Sequence, residues 1–153
     1  MLNTPPQEQF SICLLEDKNK RLLFLKRSPN DTFGAGKWGF PAGHIESDET
    51  AFECALRELD EEIGQDHQLV ALNSIGPVRD TFYGGKFDIN LFHFAWSSGH
   101  VELNEEHTEH AWVTRRHFSN MDVMLGIEQD IVLLDIWPAD TFKGARLGTL
   151  PHE

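Results

Sequence analysis

Cysteine is scarce in this chain. Only Cys13 and Cys54 occur among its 153 residues, and neither has a Cys-x-x-Cys or zinc-type spacing. Two such cysteines cannot form the disulfide framework of a small secreted protein. Cys13 falls in an apolar run and Cys54 in a helical pattern, so we expect both to be small buried thiols.

Positive charge is also in short supply. The 13 lysines and arginines face 25 aspartates and glutamates, which gives a formal net charge of −12. Binding to a nucleic-acid backbone needs basic residues that displace counterions, so we expect no nucleic-acid partner. Phosphates can still bind to an acidic protein when a divalent cation lies between the two negative partners.

Long apolar runs are missing, and residues 1–9 are polar and contain two prolines. Neither a membrane span nor a signal peptide is predicted, so we expect no membrane partner and a cytoplasmic location. The length and the 40% hydrophobic content are typical of one globular domain. We predict a single domain over residues 1–153, with its core at about 10–137.

Strand patterns surround two helical segments. Residues 28–36 form a loop, residues 38–41 are a short extended segment, and the chain after Pro138 is expected to be irregular. Predicted strands cover 10–14, 21–26, 69–74, 78–82, 87–96 and 111–113, and a late helix covers 127–137. This order predicts an α/β (α+β) fold, a sandwich with a mixed sheet.

The best-defined helix precedes Gly64, which ends it. Ser47 or Asp48 is predicted to cap its first turn. Apolar residues recur at three- and four-residue steps and predict one buried stripe, namely Phe52, Ala55, Leu56, Leu59 and Ile63.

Three carboxylates of the same helix, Glu58, Glu61 and Glu62, project from the side opposite that stripe. Converging carboxylate oxygens are hard ligands suited to Mg²⁺ or Mn²⁺. A solvated acidic face is the alternative, because like charges at these spacings cost only about 0.2–0.5 kcal/mol each on an exposed helix.

The residues around these carboxylates form a longer motif, G-x5-E-x7-R-E-U-x-E-E-x-G, where U is a bulky aliphatic residue. Its eight specified positions are Gly43, Glu49, Arg57, Glu58, Leu59, Glu61, Glu62 and Gly64. This pattern resembles the Nudix box, and residues 38–46 resemble the segment that leads into it. The family's last aliphatic position is Gln65 here, a departure at a packing position. The resemblance covers about residues 10–134.

The resemblance implies a fold of the Nudix type, an α/β/α sandwich. It also implies an enzyme that hydrolyses a nucleoside diphosphate linked to a further group X, nucleoside triphosphates included. By position, Glu58, Glu61 and Glu62 would bind Mg²⁺ or Mn²⁺, with Glu61 also counted as catalytic. Arg57 would orient a neighbouring glutamate, and Glu49 would tie the preceding loop to the helix. Cleavage of a diphosphate depends on charge neutralisation and an activated water, which divalent ions supply.

The general base is expected in the loop 104–112. By family resemblance Glu106 is the first choice and His107 the second, with an acidic turn carrying surface histidines as the alternative. His107 and His110 do not make a zinc pair, because the His-Glu-x-x-His pattern and a third ligand with a recognisable spacing are missing.

Substrate contacts are predicted less sharply. Trp38 and Tyr83 could stack on a nucleobase, as could Phe33 and Phe82, although each ring could equally pack in the core. Arg27 could meet phosphates, with Lys26 and Arg79 as further candidates and solvated surface charge as the alternative.

Two other functions remain open at this stage. NDP-sugar or dinucleotide cleavage would use His107 as the base. A non-catalytic sensor of a nucleotide metabolite is disfavoured, because such domains usually lose box glutamates and this chain keeps them all. The resemblance also leaves a homodimer open, since dimers are common in the family.

Overall fold

The computed structural model describes residues 4–148. Within that range the strands are β1 (Glu8–Glu16), β2 (Leu22–Arg27), β3 (Trp38–Gly39), β4 (Ala42–His44), β5 (His67–Arg79), β6 (Phe87–Gly99) and β7 (His107–Val113). The α-helices are α1 (Ala51–Ile63), α2 (Ile127–Leu133) and α3 (Gly144–Leu147). None of these helices is long and apolar enough to cross a membrane.

The strands form one mixed sheet with β1 in its middle. Strand β1 runs parallel to β6, in register from Glu8 opposite Phe87 to Glu16 opposite Ala95. The other pairings between these named strands are antiparallel: β5 with β6, β4 and β2 with β1, and β3 and β7 with β2. Strands β4 and β7 therefore extend the sheet on the side where β1 and β2 diverge.

Side chains that alternate along β1 and β2 supply both faces of the sheet. Leu14 and Phe24 face a core completed by α2, whereas Leu15 and Leu25 face a core completed by α1. Helices on both faces of a mixed sheet confirm the α/β sandwich expected from the sequence.

Helix α1 begins later than predicted. Thr50, not Ser47 or Asp48, is its N-cap, because Glu53 three residues on completes a capping box. The Thr50 side chain accepts from the Glu53 amide at 3.1 Å, and the Glu53 carboxylate accepts from the Thr50 amide at 2.8 Å. Gly64 ends the helix as predicted, at φ 83°.

The buried face of α1 is also rotated from the predicted stripe. Ala55, Leu59 and Ile63 are fully buried, but Phe52 and Leu56 stay 43% and 41% exposed. The side that packs towards β4 is buried instead. Cys54 lies there with its sulfur 3.3 Å from the His44 carbonyl oxygen, and Glu62 is buried on the same side. Both cysteines are free and buried, as expected.

Several strand boundaries differ from the prediction. The strands predicted at 69–74 and 78–82 are one strand, β5, whose register with β6 shifts between Ile75 and Val78. This irregularity accommodates Gly76 and Pro77 within the strand. Residues 80–82 lie outside any strand. Strand β7 starts four residues earlier than predicted, at His107.

Helix α2 ends at Leu133, not at Trp137 as predicted. Asp135 has a left-handed φ of 59°, and its amide donates to the Val132 carbonyl at 3.0 Å. The Ile136 amide donates to the Ile131 carbonyl at 3.1 Å. These two bonds form a Schellman-type termination upstream of Pro138. The tail expected to be irregular contains α3, and its residues 149–153 lie outside the described range.

Candidate active site

A cleft of about 630 Å³ opens beside β4 and the middle of α1. Its other walls come from the start of β7, the loop 80–87 and the loop that precedes α2. Glu58, Glu62, Glu106 and His107 line one part of it, the charged end. Phe33, Phe82 and Tyr83 are among the aromatic residues that line the remainder.

Arg57 joins the loop after β4 to helix α1. Its Nε donates to Glu49 Oε2 at 3.1 Å and its Nη2 to Glu49 Oε1 at 2.7 Å, a bidentate pair. Nη2 also donates to the His44 carbonyl at 3.0 Å. The hydrogen bonds from Arg57 lower the pKa of Glu49 to about 2, so this carboxylate is ionised. Glu49 in turn accepts from the Glu46 amide at 3.0 Å, which fixes the loop.

Glu58 is held between Arg57 and Gly43. Arg57 Nη1 donates to Glu58 Oε1 at 2.8 Å. A Cβ added at Gly43 would lie 2.0 Å from Glu58 Cδ, so only glycine leaves room for this carboxylate. The glycine and arginine of the motif thus fix the position of one glutamate.

Glu62 is the most deeply buried carboxylate of the cleft, with its side chain 2% exposed. Its Oε1 accepts from the Ala42 amide at 3.4 Å. Its Oε2 is buried and finds no hydrogen-bond partner among residues 4–148. Burial raises its pKa well above the ordinary value, and a hydrogen bond with Glu58 and the Glu58 charge add to the shift.

Glu106 and His107 reach the same place from the start of β7. One ligand atom each of Glu62, Glu106 and His107 lies within 4.8 Å of the other two. Glu106 is exposed, whereas His107 is buried. Burial, followed by the charge of Arg27, lowers the pKa of His107 to about 4, so its ring is neutral near pH 7.

The predicted group of three helix carboxylates is not assembled as one cluster. Glu58 and Glu62 line the cleft. Glu61 is outside its described lining, keeps 55% of its side chain exposed and contacts Arg57 Nη1 at 3.4 Å. Glu62 lies on the buried side of α1, whereas Glu61 lies on the exposed side, because successive residues of a helix point in different directions.

The donor atoms at the charged end suit a divalent cation. Glu62 and Glu106 present carboxylate oxygens, and His107 a neutral imidazole, within 4.8 Å of one another. Glu58 lines the same cleft. Two buried polar atoms there, Glu62 Oε2 and His107 Nδ1, have no hydrogen-bond partner within the described chain. Buried polar groups are normally paired, and a bound cation would pair with the Glu62 oxygen. The His107 nitrogen that faces Glu62 is Nε2, which lies 3.8 Å from Glu62 Oε1.

The predicted substrate contacts divide into two groups. Arg27 and Tyr83 line the cleft. Arg27 lies 5.9 Å from the centre of the Phe33 ring, and Tyr83 lies 5.2 Å from the same ring. Trp38 is outside the described cleft lining; it packs against the α2-side core, with Lys26 over its ring.

Arg79 lies apart from the charged end of the cleft. Its Nε donates to Asp88 Oδ1 at 2.7 Å, and its Nη1 donates to the Gly85 carbonyl at 3.3 Å. These bonds hold the Arg79 guanidinium against β6 and the loop that precedes it.

Sequence reasoning missed Asp80 and Asp130. Asp80 is buried and accepts from the Tyr83 and Phe87 amides, which shapes the loop carrying Tyr83. Asp130 is buried in α2 and lines the cleft. Burial raises its pKa well above the ordinary value, and the charge of Glu128 adds to this. The signal in the sequence was the position of Asp130 within the predicted helix 127–137, directly before Ile131, which is buried.

Comparison with known proteins agrees with this architecture. The model of the NUDIX domain family matches residues 5–130. Nucleoside triphosphatase NudI of an Enterobacter species is 26% identical over 121 residues, which cover 73% of this chain and 86% of that protein. The m7GpppN-mRNA hydrolase NUDT17 of Xenopus laevis is 36% identical over 63 residues, 41% of this chain. This match spans only about a fifth, 21%, of the length of NUDT17.

A solved structure of similar fold is the MutT protein from Methanosarcina mazei. It is 25% identical, with a TM-score of 0.60, and the alignment covers 83% of this chain and 90% of that one. The family model spans more than half of the chain and includes every motif residue described above. The chain therefore belongs to the NUDIX domain family.

Proposed function

We propose that this protein is a metal-dependent pyrophosphohydrolase that cleaves a nucleoside diphosphate joined to a further group X, nucleoside triphosphates included. Its divalent cation, Mg²⁺ or Mn²⁺, would be held by Glu58 and Glu62, which line the cleft. The third motif glutamate, Glu61, would reach the ion only after a change of side-chain rotamer, because it is exposed in this structure. The names of the related NudI and NUDT17 proteins, a nucleoside triphosphatase and an m7GpppN-mRNA hydrolase, support an anhydride substrate.

The observation that carries the proposal is the buried, unpaired Glu62 Oε2 at the floor of the cleft. An ionised carboxylate removed from water is costly unless a positive partner compensates it. Burial raises the pKa of Glu62, and a hydrogen bond with Glu58 and the charge of Glu58 add to the shift. A divalent cation would supply the charge and ionise the carboxylate that holds it.

The ion, when bound, would neutralise charge on the diphosphate oxygens and make a water more acidic. The chain's own residues perform the positioning. Arg57 holds Glu58 at 2.8 Å and is itself fixed by Glu49 at 2.7 Å. Because Gly43 has no side chain, Glu58 can turn into the cleft. Positioning of this kind accounts for much of the rate in phosphoryl transfer.

We assign the general base to Glu106. Its carboxylate is exposed and lies beside Glu62. A water molecule can therefore reach this carboxylate, which can pass the proton that it accepts on to the solvent. His107 is also positioned to accept a proton, but its side chain is only 4% exposed, so a proton on its ring has less access to the solvent than one on Glu106.

The opposite end of the cleft would bind the nucleoside. The exposed Phe33 ring beside Tyr83 offers a flat apolar surface for a base. Arg27 lies between this pair and the charged end, within the same cleft, where its guanidinium would meet a phosphate. We do not assign Trp38 a substrate contact.

A panel of nucleoside triphosphates, NDP-sugars and dinucleoside polyphosphates, assayed with Mg²⁺ or EDTA, tests the proposal. Glu62→Gln is the test variant, Glu61→Gln compares the exposed carboxylate, and Glu105→Gln is an acidic control from the loop before β7. We expect hydrolysis of at least one compound in Mg²⁺, none in EDTA, and loss in Glu62→Gln. Equal turnover of every compound by wild type and Glu62→Gln would reject the metal site.

Separate replacement of Glu106 and His107 by glutamine tests the base. We expect kcat to fall by about 10²–10⁴-fold in Glu106→Gln, the usual contribution of a general base. Loss in His107→Gln alone, together with a preference for NDP-sugars, would favour the second candidate function, for which the cleft position of His107 is the supporting observation.

A further inference from the structure

His107 is a buried imidazole that the proposed mechanism leaves without a role. It is the first residue of β7, and its side chain is 4% exposed. Its Nδ1 is buried and has no hydrogen-bond partner in the part of the chain that the structure describes. Its Nε2 lies 3.8 Å from Glu62 Oε1, beyond hydrogen-bond distance. The ring is therefore held next to a carboxylate without bonding to it.

The neighbouring carboxylate belongs to Glu62. Glu62 Oε2 is also buried and unpaired within residues 4–148. A His107 nitrogen and one oxygen each of Glu62 and Glu106 lie within 4.8 Å of one another. The His107 nitrogen that faces Glu62 is Nε2, so a cation held among these three side chains would pair with the unpartnered Glu62 oxygen and lie within reach of the His107 ring.

We propose that His107 is a nitrogen ligand of the cation bound at Glu62. The site consequently favours ions that accept imidazole, such as Fe²⁺, Co²⁺ or Zn²⁺, more strongly than an all-carboxylate site would favour them over Mg²⁺. Imidazole is a good ligand for these ions, whereas Mg²⁺ prefers oxygen. This inference rests on the proposed function, because both require the same bound cation.

Two other histidines define the controls. His110 is exposed, three residues along β7, and is not among the described lining residues of the cleft. His44 lines the cleft, but 60% of its side chain is exposed and its Nδ1 lies 3.5 Å from Glu8. His44 is therefore the competing nitrogen, and His110 the remote one.

Mn²⁺ bound to the wild-type protein serves as the probe, because electron spin-echo spectroscopy detects a nitrogen coordinated to it. We expect a nitrogen coupling in wild type that changes when the histidines carry ¹⁵N. It should disappear in His107→Gln and persist in His44→Gln and His110→Gln. Co²⁺ affinity should fall about 10-fold or more in His107→Gln, with a smaller change for Mg²⁺.

Bound Mn²⁺ without nitrogen coupling in wild type would overturn the inference while leaving the proposed metal site intact. Coupling that survives in His107→Gln or vanishes in His44→Gln would overturn it as well. If wild type bound no Mn²⁺ at all, the proposed function would fail together with this inference. The isotope comparison uses only wild-type protein, so its outcome stands even if a variant does not fold.

Discussion

Two glutamates four residues apart on α1 have different partners. Glu58 has an arginine partner at 2.8 Å and a glycine that leaves it space. Glu62 is buried, and one of its oxygens has no partner within the described residues. Arginine therefore fixes the first carboxylate, and the second is the one that most needs a cation. Their common helix face explains why both enter the cleft.

The space beside Gly43 gives the first prediction. Gly43→Ala places a methyl group against Glu58, which must then move. A displacement of about 1 Å in a catalytic group can lower kcat about 100-fold, and we expect a loss of that order. Steady-state kinetics and thermal unfolding should be measured together.

Gly144→Ala is the matched control, because an added Cβ there meets no atom within 4 Å in the described structure. We expect its kcat to equal that of wild type. Wild-type kcat in Gly43→Ala would mean that Glu58 does not need its present position.

Asp130 gives a prediction about pH. Its pKa is raised above the ordinary value of 3.8 by burial. Above about pH 4 the unfolded chain ionises this group while the folded chain keeps it protonated, so folding becomes less favourable as pH rises towards the folded-state pKa. Asp130→Asn removes that ionisation. Its Tm relative to wild type should therefore increase with pH, by about 2–4 °C for each kcal/mol.

Calorimetry between pH 4 and pH 9 measures this difference. Asp135→Asn, at a position that ends α2 on the surface side, serves as the control and should follow the wild-type pH profile. A Tm difference for Asp130→Asn that stays constant over the whole range would contradict the raised pKa.

At the scale of elements, the start of α1 provides a clean comparison. Thr50→Ala removes a capping box and should destabilise the protein by about 1 kcal/mol. Ser47→Ala, at a predicted cap position that the structure leaves outside the helix, should change stability by less than about 0.5 kcal/mol. Urea unfolding measures both, and equal losses would place the cap elsewhere.

Local chemistry predicted the existence of the elements better than their boundaries. Gly64 and the apolar positions of α1 are local signals, and the helix lies where they indicate. The burial of Glu62 in place of Leu56 depends on β4 packing against one side of the helix, a tertiary contact that helical periodicity does not encode. The joining of β5 across Gly76 and Pro77 likewise depends on pairing with β6.

The candidate site was predictable where a motif fixed its residues in register. Arg57 and Glu49 contact each other because a loop and a helix of fixed length separate them. The meeting of Glu62 with His107 joins residues 45 positions apart, at the start of a strand whose position depends on β2. Asp130 reaches the cleft only because α2 covers the opposite face. Such contacts require the assembled sheet.

At the scale of the whole molecule, the charge of −12 and the anionic substrate repel each other. A cation in the cleft resolves this conflict locally, because it lies between protein carboxylates and phosphates. The proposed activity should therefore depend on divalent ions more than on salt. The single domain over residues 1–153 and the homodimer stay predictions.

The most direct measurement is a calorimetric titration of Mg²⁺ and Mn²⁺ into wild type and Glu62→Gln, with hydrolysis followed in the same samples. Glu105→Gln controls for the loss of one negative charge. We expect turnover in wild type to rise with bound metal and Glu62→Gln to lose both binding and turnover. Undiminished hydrolysis in EDTA, or wild-type metal binding and turnover in Glu62→Gln, would refute the proposed metal site.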